Sequence, residues 1–88
     1  MSAAPATYQR VLRSLPLWLL REYLVELGGE AESDTHLNGP GWQADLEQIE
    51  DFAVGSLVVG QVRLTVTAGE GAEQLFSLLD QKLLRAGG

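Results

Sequence analysis

The chain has no cysteine, which excludes disulfides, thiol chemistry and cysteinyl metal sites. It has one histidine, so no second imidazole exists to complete a metal site. Lys and Arg number 6 against 12 acids, for a net charge of −6. Nucleic acid and anionic membrane surfaces both require clustered cations, so neither is an expected partner. No apolar segment reaches the roughly 18 residues that a membrane span requires. The opening Met-Ser-Ala-Ala-Pro-Ala-Thr lacks the basic region and apolar run of a signal peptide. A cytoplasmic location is expected, with residues 1–7 a disordered tail and residues 8–88 a single domain. The glycines spell neither Gly-x-Gly-x-x-Gly nor Gly-x-x-x-x-Gly-Lys-Ser/Thr, so no phosphate loop is expected and no cofactor is implied.

What is present is an ordinary globular composition, 45% hydrophobic and 20% charged over 88 residues. A chain of this size buries only about 60 to 65% of the surface its unfolded form exposes, so the core should be thin. The strongest local signal runs from Pro16 to Gly29. At 100° per residue, Leu17, Leu20, Leu24 and Leu27 form one stripe with Leu19 and Tyr23 at its edge, the pattern of a core-facing helix. Pro16 suits the first turn, and Gly28-Gly29 can take the left-handed conformation that ends a helix. Arg21, Glu22 and Glu26 occupy the opposite face, but so do Trp18 and Val25, which folding does not require there.

Tyr8–Leu15 fits helical spacing through Tyr8, Val11, Leu12 and Leu15, and also alternates as a strand. Pro16 favours the strand, because the residue before a proline is pushed towards extended backbone. Glu30–Leu37 reads as an edge strand or an ordered loop, closed by the turn formers Asn38-Gly39-Pro40-Gly41. Trp42, Ala44 and Leu46 alternate with Gln43, Asp45 and Glu47, as in a sheet with one wet face; Ile49 falls out of phase, which predicts a bulge or bend near Gln48. Gly55-Ser56 reads as a bend. In Gln61–Ala68 the residues Val62, Leu64, Val66 and Ala68 share a face, and a central strand is expected. After Gly69-Glu70-Gly71, a second helix carries Ala72, Leu75, Phe76, Leu79 and Leu83 inward. Its acids come early and its bases late, while Leu84 falls among its polar positions.

Three constellations bear on chemistry. His36 and Asp34 would share a strand face as an acid–base pair, but neighbouring Ser33 has no nucleophile setting, and a solvated loop histidine is the better account. Asp45, Glu47, Glu50 and Asp51 form an acidic cluster, which makes a small-ligand or divalent-cation site an alternative. Their spacing matches no calcium loop, and a wet sheet face with Arg63 as cross-strand partner explains them better, so no metal site is expected. The terminal Gly87-Gly88 resembles the activated diglycine of ubiquitin-like sulfur carriers. Those carriers reach it through a terminal strand of a β-grasp core, whereas here it follows a helix and also reads as a stop signal.

The order strand, helix, antiparallel strands, helix resembles the TATA-binding-protein-like layout. More narrowly, Leu12-Arg13-Ser14-x-Pro16-Leu17, Leu24-x-x-Leu27-Gly28-Gly29, Gly39-x-Gly41-Trp42, Gly55-Ser56-Leu57-x-Val59-Gly60 and Leu83-Leu84-Arg85-Ala86-Gly87-Gly88 are similar to the C-terminal domain of bacterial proteins related to the small subunit of molybdopterin synthase. The resemblance spans nearly the whole chain and carries over no catalytic residues. It implies a link to molybdenum-cofactor and sulfur-carrier systems through the company that family keeps.

The expected fold is an α+β two-layer sandwich, β-α-β(n)-α, with an antiparallel sheet of three to five strands and two helices on one face. The expected function is that of a non-catalytic interaction or dimerisation domain, with Trp18, Val25, Arg21 and Leu84 at the interface and a protein partner or a second copy bound there. The alternative is a carrier activated at Gly88 through the Gly87-Gly88 tail.

Overall fold

In the computed structural model, which describes residues 5–85, the alternating stretch ending at Ala68 is the inner strand on which the rest is assembled. Seven elements follow one another: β1 (Ala6–Arg13), α1 (Leu17–Glu26), β2 (Glu30–Ala31), β3 (His36–Gly39), β4 (Trp42–Val54), β5 (Leu57–Ala68) and α2 (Ala72–Arg85). The strands form one antiparallel sheet in the order β1-β5-β4-β3-β2. The fold is therefore α+β, a five-stranded antiparallel sheet with two helices.

Pairing follows the period of two. Val62, Leu64, Val66 and Ala68 of β5 lie opposite Gln48, Leu46, Ala44 and Trp42 of β4 on one side, and opposite Leu12, Arg10, Tyr8 and Ala6 of β1 on the other. Except for Ala6, Arg10 and Gln48, which are exposed, this face is buried and joins Leu20 and Leu24 of α1 with Ala72, Leu79 and Leu83 of α2 in one core; Leu17, Leu19, Tyr23, Leu27, Leu75 and Phe76 pack at its margin. The leucine stripe of α1 thus faces inward as its spacing predicts. Its end is a Schellman motif: Gly28, with φ of 104°, donates to the Val25 carbonyl, and Gly29 donates to that of Leu24.

The two readings of Tyr8–Leu15 resolve in favour of the strand, which begins at Ala6, two residues before the first patterned position. Ser14 leaves the strand with φ of 67°, its N–H donating to the Gly60 carbonyl, and so redirects the chain from the sheet into α1. Three local details differ from the sequence pattern. Asn38 and Gly39 belong to β3, so the turn is only Pro40-Gly41, with Gly41 at φ of 78° as the third position of a type II turn requires. The bulge lies past Ile49, where Glu50 and Asp51 together face Gly60. Gly55-Ser56 is a two-residue hairpin turn between Val54 and Leu57, with positive φ at its glycine. None of the helices among the described residues is long and apolar enough to cross a membrane.

Candidate functional site

Helix α1 covers the β2–β3–β4 half of the sheet and leaves its outer face to solvent. Trp18 is 55% exposed and Val25 48% exposed on that face. For a tryptophan this is unusual, since an indole buried in a small core contributes more than almost any other side chain. Nothing in the core requires either residue to point outward, because Leu20 and Leu24 already fill the inner stripe. Between them the face is shaped by charge pairs. Arg21 Nη1 lies 3.0 Å from Asp34 Oδ1, which ties the helix to the loop before β3. One turn on, Glu26 meets Lys82 of α2, whose Nζ sits 5.5 Å from the centre of the Tyr23 ring. A shallow hollow of about 340 Å³ runs along Arg21, Glu22, Val25 and Glu26.

Of the four residues expected at an interface, Trp18, Arg21 and Val25 share this face. Leu84 does not. It is 76% exposed on α2 and lines a separate hollow of about 290 Å³ with Tyr8, Arg10, Leu12, Asp80 and Leu83, over the β1 edge. Lys82 points from the other flank of α2 towards α1, so Leu84 lies away from Trp18 and Val25. Gly87 and Gly88 lie outside the described residues.

The hollow beside Leu84 contains a cluster that has no sequence signal, because its members lie at opposite ends of the chain. Tyr8 donates from its hydroxyl to Asp80, Arg10 lies 3.8 Å from the same carboxylate, and the Arg10 guanidinium stacks 4.3 Å from the centre of the Tyr8 ring. Burial, reinforced by the bond to Asp80, pushes the Tyr8 phenol up to about 12. A phenol held neutral in this way is a poor base and a poor nucleophile, so the cluster is a clamp between β1 and α2.

His36 is not the solvated loop residue expected: it belongs to β3, is half-buried, and is not paired with Asp34 either. Asp34 turns to Arg21, while His36 Nδ1 lies 2.7 Å from Asp45 Oδ1, its cross-strand neighbour in the β3–β4 ladder. That hydrogen bond raises the His36 pKa above 6.5 against a smaller desolvation effect, with Asp45 and Glu32 adding favourable charge. Ser33 is occupied as a turn former, its Oγ accepting from the N–H groups of Thr35 and His36 at 3.2 and 3.1 Å. The acidic strand divides the same way. Asp45 serves His36, and Glu47 pairs with Arg63 at 2.6 Å in the register the alternation predicts. Among the described residues no three or more His, Cys, Asp or Glu side chains gather to hold a metal ion.

Among the described residues the geometry therefore offers an exposed aromatic face on a well-filled helix. No curated protein matches the chain. A family match does, over residues 8–88 and hence across every element described above: the chain belongs to the archaeal MoaD-like protein family, and so stands in relation to the small subunit of molybdopterin synthase.

Proposed function

We propose that the chain is a non-catalytic protein-interaction module accessory to a sulfur-carrier or molybdenum-cofactor system, docking through the outer face of α1. The observation that carries this reading is the exposure of Trp18, with Val25 beside it, on a helix whose inner stripe already accounts for folding. Aromatic side chains at the centre of a contact carry a disproportionate share of binding energy, and Arg21 at its side adds a directional donor. The family relation supports the class of partner, although the family is an archaeal one where the sequence resemblance pointed to bacterial proteins. A cytoplasmic location accords with that class.

The family relation also favours a second reading, a carrier activated at the carboxylate of Gly88. Against it stands α2, a helix described as far as Arg85, where ubiquitin-like sulfur carriers reach their diglycine through a strand. One experiment separates the readings. The chain is mixed with the purified large subunit of molybdopterin synthase and with an ATP-dependent carrier-activating enzyme, then followed by sedimentation velocity and intact-mass spectrometry. The interaction reading expects a complex, or a defined dimer of the chain alone, that Trp18→Ala weakens about tenfold or more. A wild type that stays monomeric and unbound, or a variant that binds equally well, would sink it. An adenylated terminus would establish the carrier instead.

A further inference from the structure

The sheet is not equally wide along its length. β1 ends at Arg13 opposite Gln61, and β3 begins at His36 opposite Asp45, after which only the Leu46 N–H reaches back to the Thr35 carbonyl. Beyond these points, among the described residues, no strand lies outside Glu47–Val54 or Leu57–Gly60. They form a two-stranded arm that contributes to principal extents of 52 × 22 × 21 Å. An isolated hairpin is marginal in water, so the arm needs fastening at its base. The Arg13 guanidinium lies 3.7 Å from the centre of the Phe52 ring, Gln48 Nε2 donates to the Gln61 carbonyl, and Gln61 Nε2 donates to that of Glu50. What these fastenings present is apolar: Val54 is 57%, Leu57 63% and Val58 60% exposed.

Two features select an occupant. In β5, Leu57 alternates with Val58, and their partners Val54 and Ala53 alternate with them, so both faces of the tip are apolar. A flat surface covers one face of a ribbon; a cleft is needed to cover both. Behind the tip, the bulge turns out Glu50 and Asp51, which are exposed and have no ion-pair partner among the described residues. Two arms meeting would bring these acids together on chains that each carry −6, which opposes a second copy. The same charge opposes an anionic bilayer, and a bulged, acidic edge resists strand addition.

We propose that this arm is an insertion element: Val54, Leu57 and Val58 enter an apolar cleft on a partner protein whose rim carries Lys or Arg against Glu50 and Asp51. The contact is separate from the outer face of α1 and does not depend on it.

The probe is an amphipathic peptide of Leu and Lys, titrated into isotope-labelled chain while backbone amide resonances are followed. Shifts should concentrate in Glu50–Gly60. Leu57→Asp with Val58→Asp should weaken binding about tenfold or more. Glu50→Gln with Asp51→Asn should weaken it several-fold and flatten its dependence on salt between about 50 and 500 mM. Trp18→Ala should leave the affinity unchanged, which separates this result from the test of the α1 face. The tip residues are exposed, and an unaltered spectrum elsewhere confirms that each variant is folded. The proposal is overturned if the shifts fall on α1 or spread evenly, or if the tip variant binds like the wild type. It is equally overturned if the arm resonances move with protein concentration alone, the mark of a second copy, or on adding phosphatidylcholine vesicles, the mark of a bilayer.

Discussion

At the scale of single residues, Trp42 shows how little space the fold leaves. Its indole crosses the backbone where β3 turns into β4. A Cβ on Gly39 would fall inside the ring, and one on Gly29 would lie 2.7 Å from Cη2 and 2.9 Å from the Leu24 carbonyl oxygen. Neither glycine has positive φ, so both are required for room alone. Gly39→Ala is expected to destabilise by about 1 to 3 kcal/mol, the usual cost of overpacking, and urea unfolding would measure it. His36 supplies the second residue-scale prediction. A histidine whose folded pKa is raised adds stability that is full below about 6.5 and is lost as pH rises through the folded value. The melting temperature of the wild type should therefore fall relative to His36→Gln between about pH 6 and 8. A titration of the His36 ring at or below its ordinary value would refute the Asp45 pairing. The sequence made one of these contacts legible and hid the other. Glu47 and Arg63 belong to two well-phased strands, so their meeting could be read from alternation. His36 lies in a strand of four residues, and its partner is decided by the Pro40-Gly41 turn and not by the nearer Asp34.

Elements were legible in proportion to their length. Helix α1 runs Leu17–Glu26 with its glycine stop as the pattern implies, and α2 buries Ala72, Leu79 and Leu83 as expected. The two-residue β2 and four-residue β3 are too short to show a period, and they exist because β4 offers an edge to β3 and β3 one to β2. The long reach of β4 and β5 past the bulge was likewise hidden, since Gly55-Ser56 marks a turn but not how far the flanking strands run beyond their neighbours. Within α1 the two faces should separate cleanly in mutagenesis. Leu24→Ala, at 1% exposure, is expected to cost about 2 to 5 kcal/mol through the lost apolar burial and the cavity left behind. Trp18→Ala should change stability by no more than about 0.5 kcal/mol, as surface substitutions do. Thermal unfolding of both variants checks the pair; a large loss at Trp18 would mean that the indole supports the fold.

For the whole molecule, the sheet order explains why the site was only half visible. Charge and composition bounded the class of partner, and the leucine stripe implied the layer that buries it. The shape came from pairing between the first strand and the last, which no local pattern encodes. That pairing also gives the molecule two unlike poles. β1 runs towards Gln61, so α1 begins at that end and finishes near Pro40 and Trp42 at the other. α2 runs in the direction of β1, with Asp80 beside Tyr8 and Leu83 beside Leu12, and Lys82 in its last turn reaches Glu26 at the end of α1. Trp18 and the root of the arm therefore belong to one pole. If a single partner engages both, the second contact forms at a high effective concentration once the first is made. Two contacts, each too weak to hold alone, could then act as one, with their separation set by the rigid sheet between them.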